Sequence, residues 1–170
     1  MNDAVVVERV TSRAELEEAW EVRFEVFVRE QGVPLEEEVD DADTAPTTTH
    51  VLARSGDAVV GTGRLLSDPD HAGEVHLGRL AVHAAARGSG VGARLVTALE
   101  AIALADHGVA AGAPDGGADG GARDLTVRVV LAAQESVMGF YARLGYTVVT
   151  GERFLDAGIW HQDMARLVRA

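Results

Sequence analysis

The chain has 170 residues, no cysteine, and a formal net charge of −12 at pH 7. That length suits a single domain over 1–170 with a sizeable core, the missing thiols exclude disulfides and cysteine nucleophiles, and the absence of lysine excludes a lysine Schiff base or a Walker-type phosphate lysine. The acidic balance disfavours nucleic acid as a partner and mildly attracts a cationic substrate such as an amine; with no apolar run of membrane-spanning length and no signal-peptide core, a cytoplasmic protein with no membrane partner is expected.

Residues 4–10 form a short β-branched run and read as the first strand. Ser12 and Glu15 fit a capping box, Ser12 as N-cap and Glu15 reaching back. Leu16, Trp20, Phe24 and Phe27 follow at helical spacing, which predicts a core-facing helix of about five turns, stopped by Gly32-Val33-Pro34. The segment 35–49 carries Glu36, Glu37, Glu38, Asp40, Asp41 and Asp43. It reads as a solvated acidic loop, or else as a cation-recruiting rim. An EF-hand calcium loop would need a glycine that is missing here. Residues 50–54 and 58–66 read as two strands joined at Ser55-Gly56-Asp57. The stretch from Gly56 to Gly63 superficially resembles a nucleotide loop, but it lacks the lysine and runs on into strand-like residues.

The chain is organised around the stretch that begins at Glu74. Val75 and Leu77 share one parity, Leu80 and Val82 the other. Side chains in a regular strand alternate faces, so the slip predicts a β-bulge near Gly78-Arg79. Next comes Arg87-Gly88-Ser89-Gly90-Val91-Gly92-Ala93, opening a helix at about Gly90 with Val91, Leu95, Leu99 and Ile102 on one face. Glycines let a ligand approach the backbone, and a helix start offers free N–H groups to an anion such as a pyrophosphate, with Arg87 adding positive charge. The helix ends near His107. The Gly/Ala/Asp-rich segment 108–124 reads as a flexible surface loop. Residues 125–131 follow as a central strand, then a short helix with Val137, Phe140, Tyr141 and Leu144, closed by Gly145. Residues 146–149 and 159–168 give the last strands.

Arg87, Gly90 and Gly92 resemble the acyl-CoA signature of the GNAT N-acyltransferase superfamily. Phe140, Tyr141, Gly145 and Tyr146 resemble its second motif, and the order of elements resembles its fold over nearly the whole chain. The run from Arg23 to Pro34 with Glu38, Asp40, Asp43 and His50, and the run from Gly158 to Met164, resemble the ElaA-like branch. A related pattern occurs in acyl-homoserine lactone synthases, which use acyl carrier protein and usually want a basic docking surface; the acidic charge argues against that kinship. The resemblance implies a mixed α/β (α+β) acyl-CoA N-acyltransferase fold, with a mostly antiparallel sheet flanked by helices. Its central parallel strands, here 75–82 and 125–131, splay apart to admit the pantetheine arm.

The implied activity is acyl-CoA-dependent N-acyltransfer, most simply of acetyl from acetyl-CoA as co-substrate to a primary amine of a small molecule, with no metal. Alternatives are a non-catalytic acyl-CoA sensor and an acyltransferase using longer acyl-CoA or acyl carrier protein. Dimers are common in the superfamily, which leaves a homodimer open. Cofactor contacts are expected from Leu80, Ala81, Val82, Arg87, Gly88, Ser89, Gly90, Val91, Gly92, Ala93, Gln134 and Phe140. A free phenol near 10 and a thiol near 8.5 make Tyr141 a feasible acid for the departing thiolate, and a backbone N–H near Leu80 is the expected oxyanion donor. Glu74 and His76, spaced two apart on one strand face, are the candidates for the base, against a plain polar pair or a water relay. Arg79 is expected to be structural or a carboxylate partner. Glu30, Gln31 and His161 are acceptor-site candidates, or else polar residues that cap and bridge elements.

Overall fold

The computed structural model describes residues 4–111 and 124–170. Most of the 108–124 segment expected to be a surface loop lies outside that range. Strand β1 (Val5–Arg9) leads into α1 (Arg13–Arg23), which continues as a π-helical stretch, Phe24–Glu30. The short α2 (Leu35–Glu38) and a 3-10 turn (Asp41–Thr44) precede strands β2 (Thr48–Ser55), β3 (Ala58–Ser67) and β4 (Glu74–Val82). Helix α3 (Val91–His107), the two-residue β5 (Val109–Ala110), β6 (Leu125–Gln134), α4 (Met138–Arg143), β7 (Thr147–Asp156) and β8 (Ile159–Arg169) complete the described chain. Among the described residues no helix is long and apolar enough to cross a membrane.

The strands form one sheet in the order β1-β2-β3-β4-β6-β8-β7, with β5 added to β6. Among the described residues only β4 and β6 run parallel, and they pair over Glu74–His76 against Arg128–Val130. Beyond His76 the two strands part. The phase slip in β4 is a bulge: Thr62 pairs with Ala81 and Arg64 with Gly78, so β4 carries one residue more than β3 across that interval. Arg79 takes up the distortion at φ +49, a region that non-glycine residues seldom occupy.

Helix α3 packs on one sheet face through Val91, Leu95, Val96, Leu99 and Ala103, all buried against Val51, Leu65, Val75, Leu77 and the inward residues of β6. Gly61 and Gly63, part of the rejected nucleotide loop, explain the close approach. A Cβ at Gly61 would stand 2.9 Å from Leu95 Cδ1, and one at Gly63 2.7 Å from Leu99 Cδ1. Tyr146, matched above to the second motif, is buried behind α3 and α4, where its hydroxyl donates to Glu100 at 2.9 Å.

The opposite face is covered by α1 and its π-helical continuation, with Val22 and Val26 buried against Ala81. Here the predicted stripe is displaced. The buried residues of α1 are Leu16, Ala19, Val22 and Arg23, while Trp20 and Phe24 are half-buried. Arg23 is 1% exposed, and the acidic segment supplies the reason. Glu38 and Asp43 turn inward: Arg23 donates from Nε to Glu38 at 2.8 Å and from Nη1 to Asp43 at 2.7 Å. Arg64 donates to Asp40 at 2.7 Å and to Asp43 at 2.9 Å, and Trp20 Nε1 donates to Asp43 at 3.3 Å. The loop is therefore not a fully solvated rim; two of its carboxylates are counter-ions inside the fold.

Candidate functional site

The opening between β4 and β6 is the mouth of a cleft of about 760 Å³. One wall is β4 from Leu77 to Val82, whose backbone has lost its β6 partner there. The floor near the mouth is the glycine loop and the start of α3, and the far wall is Phe140 and Tyr141 of α4. The π-helical stretch closes one side with Val26, Phe27 and Glu30, and Glu37 and Glu38 of α2 extend that side. The turn between β7 and β8 closes the other with Asp156, Ala157, Ile159 and His161.

The loop is built for an anion. Gly88 and Gly90 both stand at φ +83 with no atom within 4 Å of where a Cβ would lie. A side chain at either position would be strained and would project into open space. Helix α3 has Gly90 at its N-cap and no side-chain cap, so its first N–H groups remain available. Gly92 carries no Cβ because Phe140 Cζ would be 3.2 Å away. These features fit a pyrophosphate-bearing ligand at the mouth and a narrow arm running inward. Arg87, at the head of the loop, donates from Nε to the Val82 carbonyl at 3.0 Å and forms an ion pair with Glu30 at 2.8 Å. Gln31 and Gln134 exchange amide hydrogen bonds beside it, at 2.9 and 3.4 Å.

Deeper in, Tyr141 is 8% exposed, and burial pushes its phenol up to about 12. Among the described residues its hydroxyl has no hydrogen-bond partner, and its ring packs edge-on against Phe140 and Tyr146. The bulge residue Arg79 reaches the Glu38 carboxylate at 3.4 Å and the Glu37 carbonyl at 3.3 Å. The buried ion cluster thereby ties the bulge to the wall of the cleft, and Arg79 is the carboxylate partner that the sequence suggested.

Of the residues singled out from the sequence, the cleft gathers Leu80, Ala81, Val82, Arg87, Gly88, Gly90, Val91, Gly92, Ala93, Gln134, Phe140, Tyr141, Glu30, Gln31 and His161. Ser89 is not among the lining residues; its hydroxyl turns back to the Ala86 carbonyl at 2.7 Å. Glu74 and His76 also stay outside. They do share one face, but at the paired start of β4. There Glu74 accepts from Arg128 at 2.9 Å, with His76 3.4 Å away. The hydrogen bond from Arg128 holds the Glu74 carboxyl below its usual range. Sequence reasoning missed Val26, Phe27, Glu37, Glu38, Asp156 and Ile159 as cleft residues. For the turn at Asp156 a signal exists in the turn-forming run Asp156-Ala157-Gly158 between the last two strands. For the π-helical stretch there was none.

Comparison with known proteins agrees with this architecture. A model of the acetyltransferase (GNAT) domain matches residues 46–148. An uncharacterized N-acetyltransferase, YjcF of Bacillus subtilis, is 36% identical over 152 residues, covering 89% of this chain and 92% of the relative. The ElaA protein of Escherichia coli is 31% identical, over 87% of this chain and 84% of its own. Its crystal structure superposes with a TM-score of 0.75 over 96% of this chain and 99% of ElaA. An acyl-CoA N-acyltransferase from Pseudomonas aeruginosa gives 0.73 at 28% identity, over 96% of this chain and 98% of that one. With a family match over more than half its length, full-length relatives, and a sheet that parts beside a glycine-rich helix start, the chain belongs to the GNAT acetyltransferase family.

Proposed function

We propose that the protein transfers an acetyl group from acetyl-CoA directly to the primary amine of a small molecule. The observation that carries the reading is the cleft itself, where a stretch of β4 without its β6 partner, an uncapped helix start and the hydroxyl of a buried tyrosine side chain converge. Acyl-CoA supplies a thioester carbonyl activated for attack, and the residues of the chain bind, orient and stabilise around it. The N–H groups at the start of α3, with Gly88, Gly90 and Gly92, hold the pyrophosphate. The β4 backbone at Leu80 and Val82, apart from the Val82 carbonyl that Arg87 occupies, aligns the pantetheine arm, and the Leu80 N–H stabilises the oxyanion. Gln134 and Phe140 line the arm's path.

Tyr141 serves the leaving group. At about 12, its phenol is a weaker acid than a free thiol by roughly 3.5 units, or about 5 kcal/mol. It therefore acts chiefly as a hydrogen-bond donor to the nascent thiolate. Proton transfer becomes feasible to the extent that the same dry slot also raises the thiol. Glu30, Gln31 and His161 face the acceptor. The acidic charge of the chain favours encounter with a protonated amine.

Gly92→Trp tests this reading. The indole must displace Phe140 and fill the mouth, so acetyl-CoA should no longer raise the unfolding midpoint, while the circular dichroism spectrum stays that of the wild type. An undiminished rise in the variant would place acetyl-CoA binding elsewhere.

A further inference from the structure

His161 is 8% exposed and lines the cleft. Its ring stacks on Phe154 with centroids 5.7 Å apart and planes 19° from parallel. Its Nδ1 lies 2.7 Å from the Ile159 carbonyl oxygen. A carbonyl only accepts, so Nδ1 carries the hydrogen, and Nε2 of the neutral ring keeps its lone pair. Among the described residues nothing bonds Nε2. A ring locked by stacking and by a backbone carbonyl, with a bare acceptor nitrogen in the cleft, is oriented in the way a general base requires. The strand-borne candidates Glu74 and His76 lack this placement.

We propose that His161 Nε2 is the base that removes the proton from the acceptor ammonium; the proposal rests on the acyltransferase reading above. Nε2 takes one proton from the R–NH₃⁺ group, and the freed electron pair on nitrogen attacks the thioester carbon. The C–N bond forms as the carbonyl π pair moves to oxygen. That pair then returns and the C–S bond breaks, releasing thiolate. The second N–H proton leaves the cationic nitrogen of the tetrahedral adduct, which is acidic enough to give it to water. Both protons lost from nitrogen reach solvent, the first by way of His161 as its ring returns to the neutral form. The thiolate departs under the hydrogen bond from Tyr141 and takes one proton back from solvent, so the net products are amide, thiol and one proton. Other ionisable groups share the strand of His161 or the cleft lining: Asp156 in its own turn, Asp163 two residues along its strand, Tyr141 of α4, and Glu30, Glu37, Glu38, Arg79 and Arg87. Its neighbours in strand register and stacking, Gln134 and Phe154, are uncharged.

The test uses the full chain, its His161→Gln variant, acetyl-CoA, and two primary amines: propylamine, protonated at neutral pH, and 2,2,2-trifluoroethylamine, largely neutral there. Wild type and variant should show the same rise in unfolding midpoint with acetyl-CoA. No rise in either would overturn the acyltransferase reading itself, and with it this proposal. With binding intact, the variant should lose about 100-fold in kcat/KM for propylamine at pH 7. The loss should shrink as pH rises towards the amine's own pKa, and the variant should run close to wild type with trifluoroethylamine. A loss equal for both amines and constant with pH would reduce His161 to a structural role. Absence of amine-dependent thiol release from wild type that binds acetyl-CoA would also overturn the assignment. Independently of turnover, the ring ¹⁵N shifts of His161 in the wild type should show a protonated Nδ1 and a bare Nε2 at neutral pH; the reverse tautomer contradicts the proposal.

Discussion

Asp43→Asn is expected to destabilise the fold by about 3–5 kcal/mol, lowering the unfolding midpoint by roughly 10 °C for a domain of this size. The Asp43 side chain is fully buried and accepts from Arg23, Arg64 and Trp20. Asparagine keeps one acceptor oxygen but removes the charge that offsets two buried guanidinium groups. An uncompensated buried charge costs more than the lost hydrogen bond, and burial prevents water from repairing it. The effect should reach the cleft. Glu38 shares Arg23 with Asp43 and also holds Arg79, the strained residue of the bulge. A variant that still folds should therefore bind acetyl-CoA less well. Chemical denaturation of wild type and variant at pH 7 measures the first effect.

The same cluster sets a pH window. Burial alone would raise Asp43, but the hydrogen bonds and charges of Arg23 and then Arg64 override it and hold the carboxyl at about 2. A carboxylate whose folded pKa is depressed contributes stability above its unfolded pKa, near 3.9, and loses it as pH falls through the folded value. The wild type should lose about 2 kcal/mol between pH 4 and pH 2 that Asp43→Asn does not lose. Glu38 moves the other way, since burial raises it against the hydrogen bond from Arg23. It gains its proton earlier in the descent, so the lower window belongs to Asp43.

Tyr141→Phe should reduce kcat by about 10²-fold or more at saturating substrates while leaving the acetyl-CoA-induced rise in midpoint intact. The two side chains differ by one oxygen. The tyrosine ring is fixed edge-on between Phe140 and Tyr146, so phenylalanine keeps the packing and deletes only the donor. A non-catalytic sensor would show no such split between binding and turnover. Because burial pushes the phenol up to about 12, Tyr141 stays protonated throughout the ordinary assay range. The wild-type rate should not fall between pH 8 and pH 10. A fall near pH 10, absent in Tyr141→Phe, would mean that the hydroxyl titrates as a solvated phenol.

The fold was readable from the sequence where it is encoded in side-chain periodicity. The parity slip between Leu77 and Leu80 reports the bulge, because a bulge reverses the faces that later residues occupy. The glycine spacing after Arg87 reports the helix mouth, because positive φ at Gly88 and Gly90 suits few other residues. What periodicity does not encode is how far two strands stay paired. Alternation placed Glu74 and His76 together on one face, but the parting of β4 and β6 begins only after His76, which leaves both residues at the paired end, outside the cleft lining. Arg23 was hidden for a related reason. A charged residue within an amphipathic helix reads as surface, and its counter-ions Glu38 and Asp43 lie in a segment whose acidity reads as solvation. The role of His161 depends on ring orientation, set by the Ile159 carbonyl and by stacking on Phe154. Composition carries no trace of either.

Thermal unfolding of the wild-type chain with acetyl-CoA, free CoA and a long-chain acyl-CoA tests the central claim most directly. A ligand that binds only the folded state at a hundred times its dissociation constant adds about 2.7 kcal/mol, or roughly 5–10 °C in midpoint. The account predicts a rise of that order with acetyl-CoA. No rise with any of the three, at concentrations well above micromolar, would contradict it and leave the glycine loop as architecture alone.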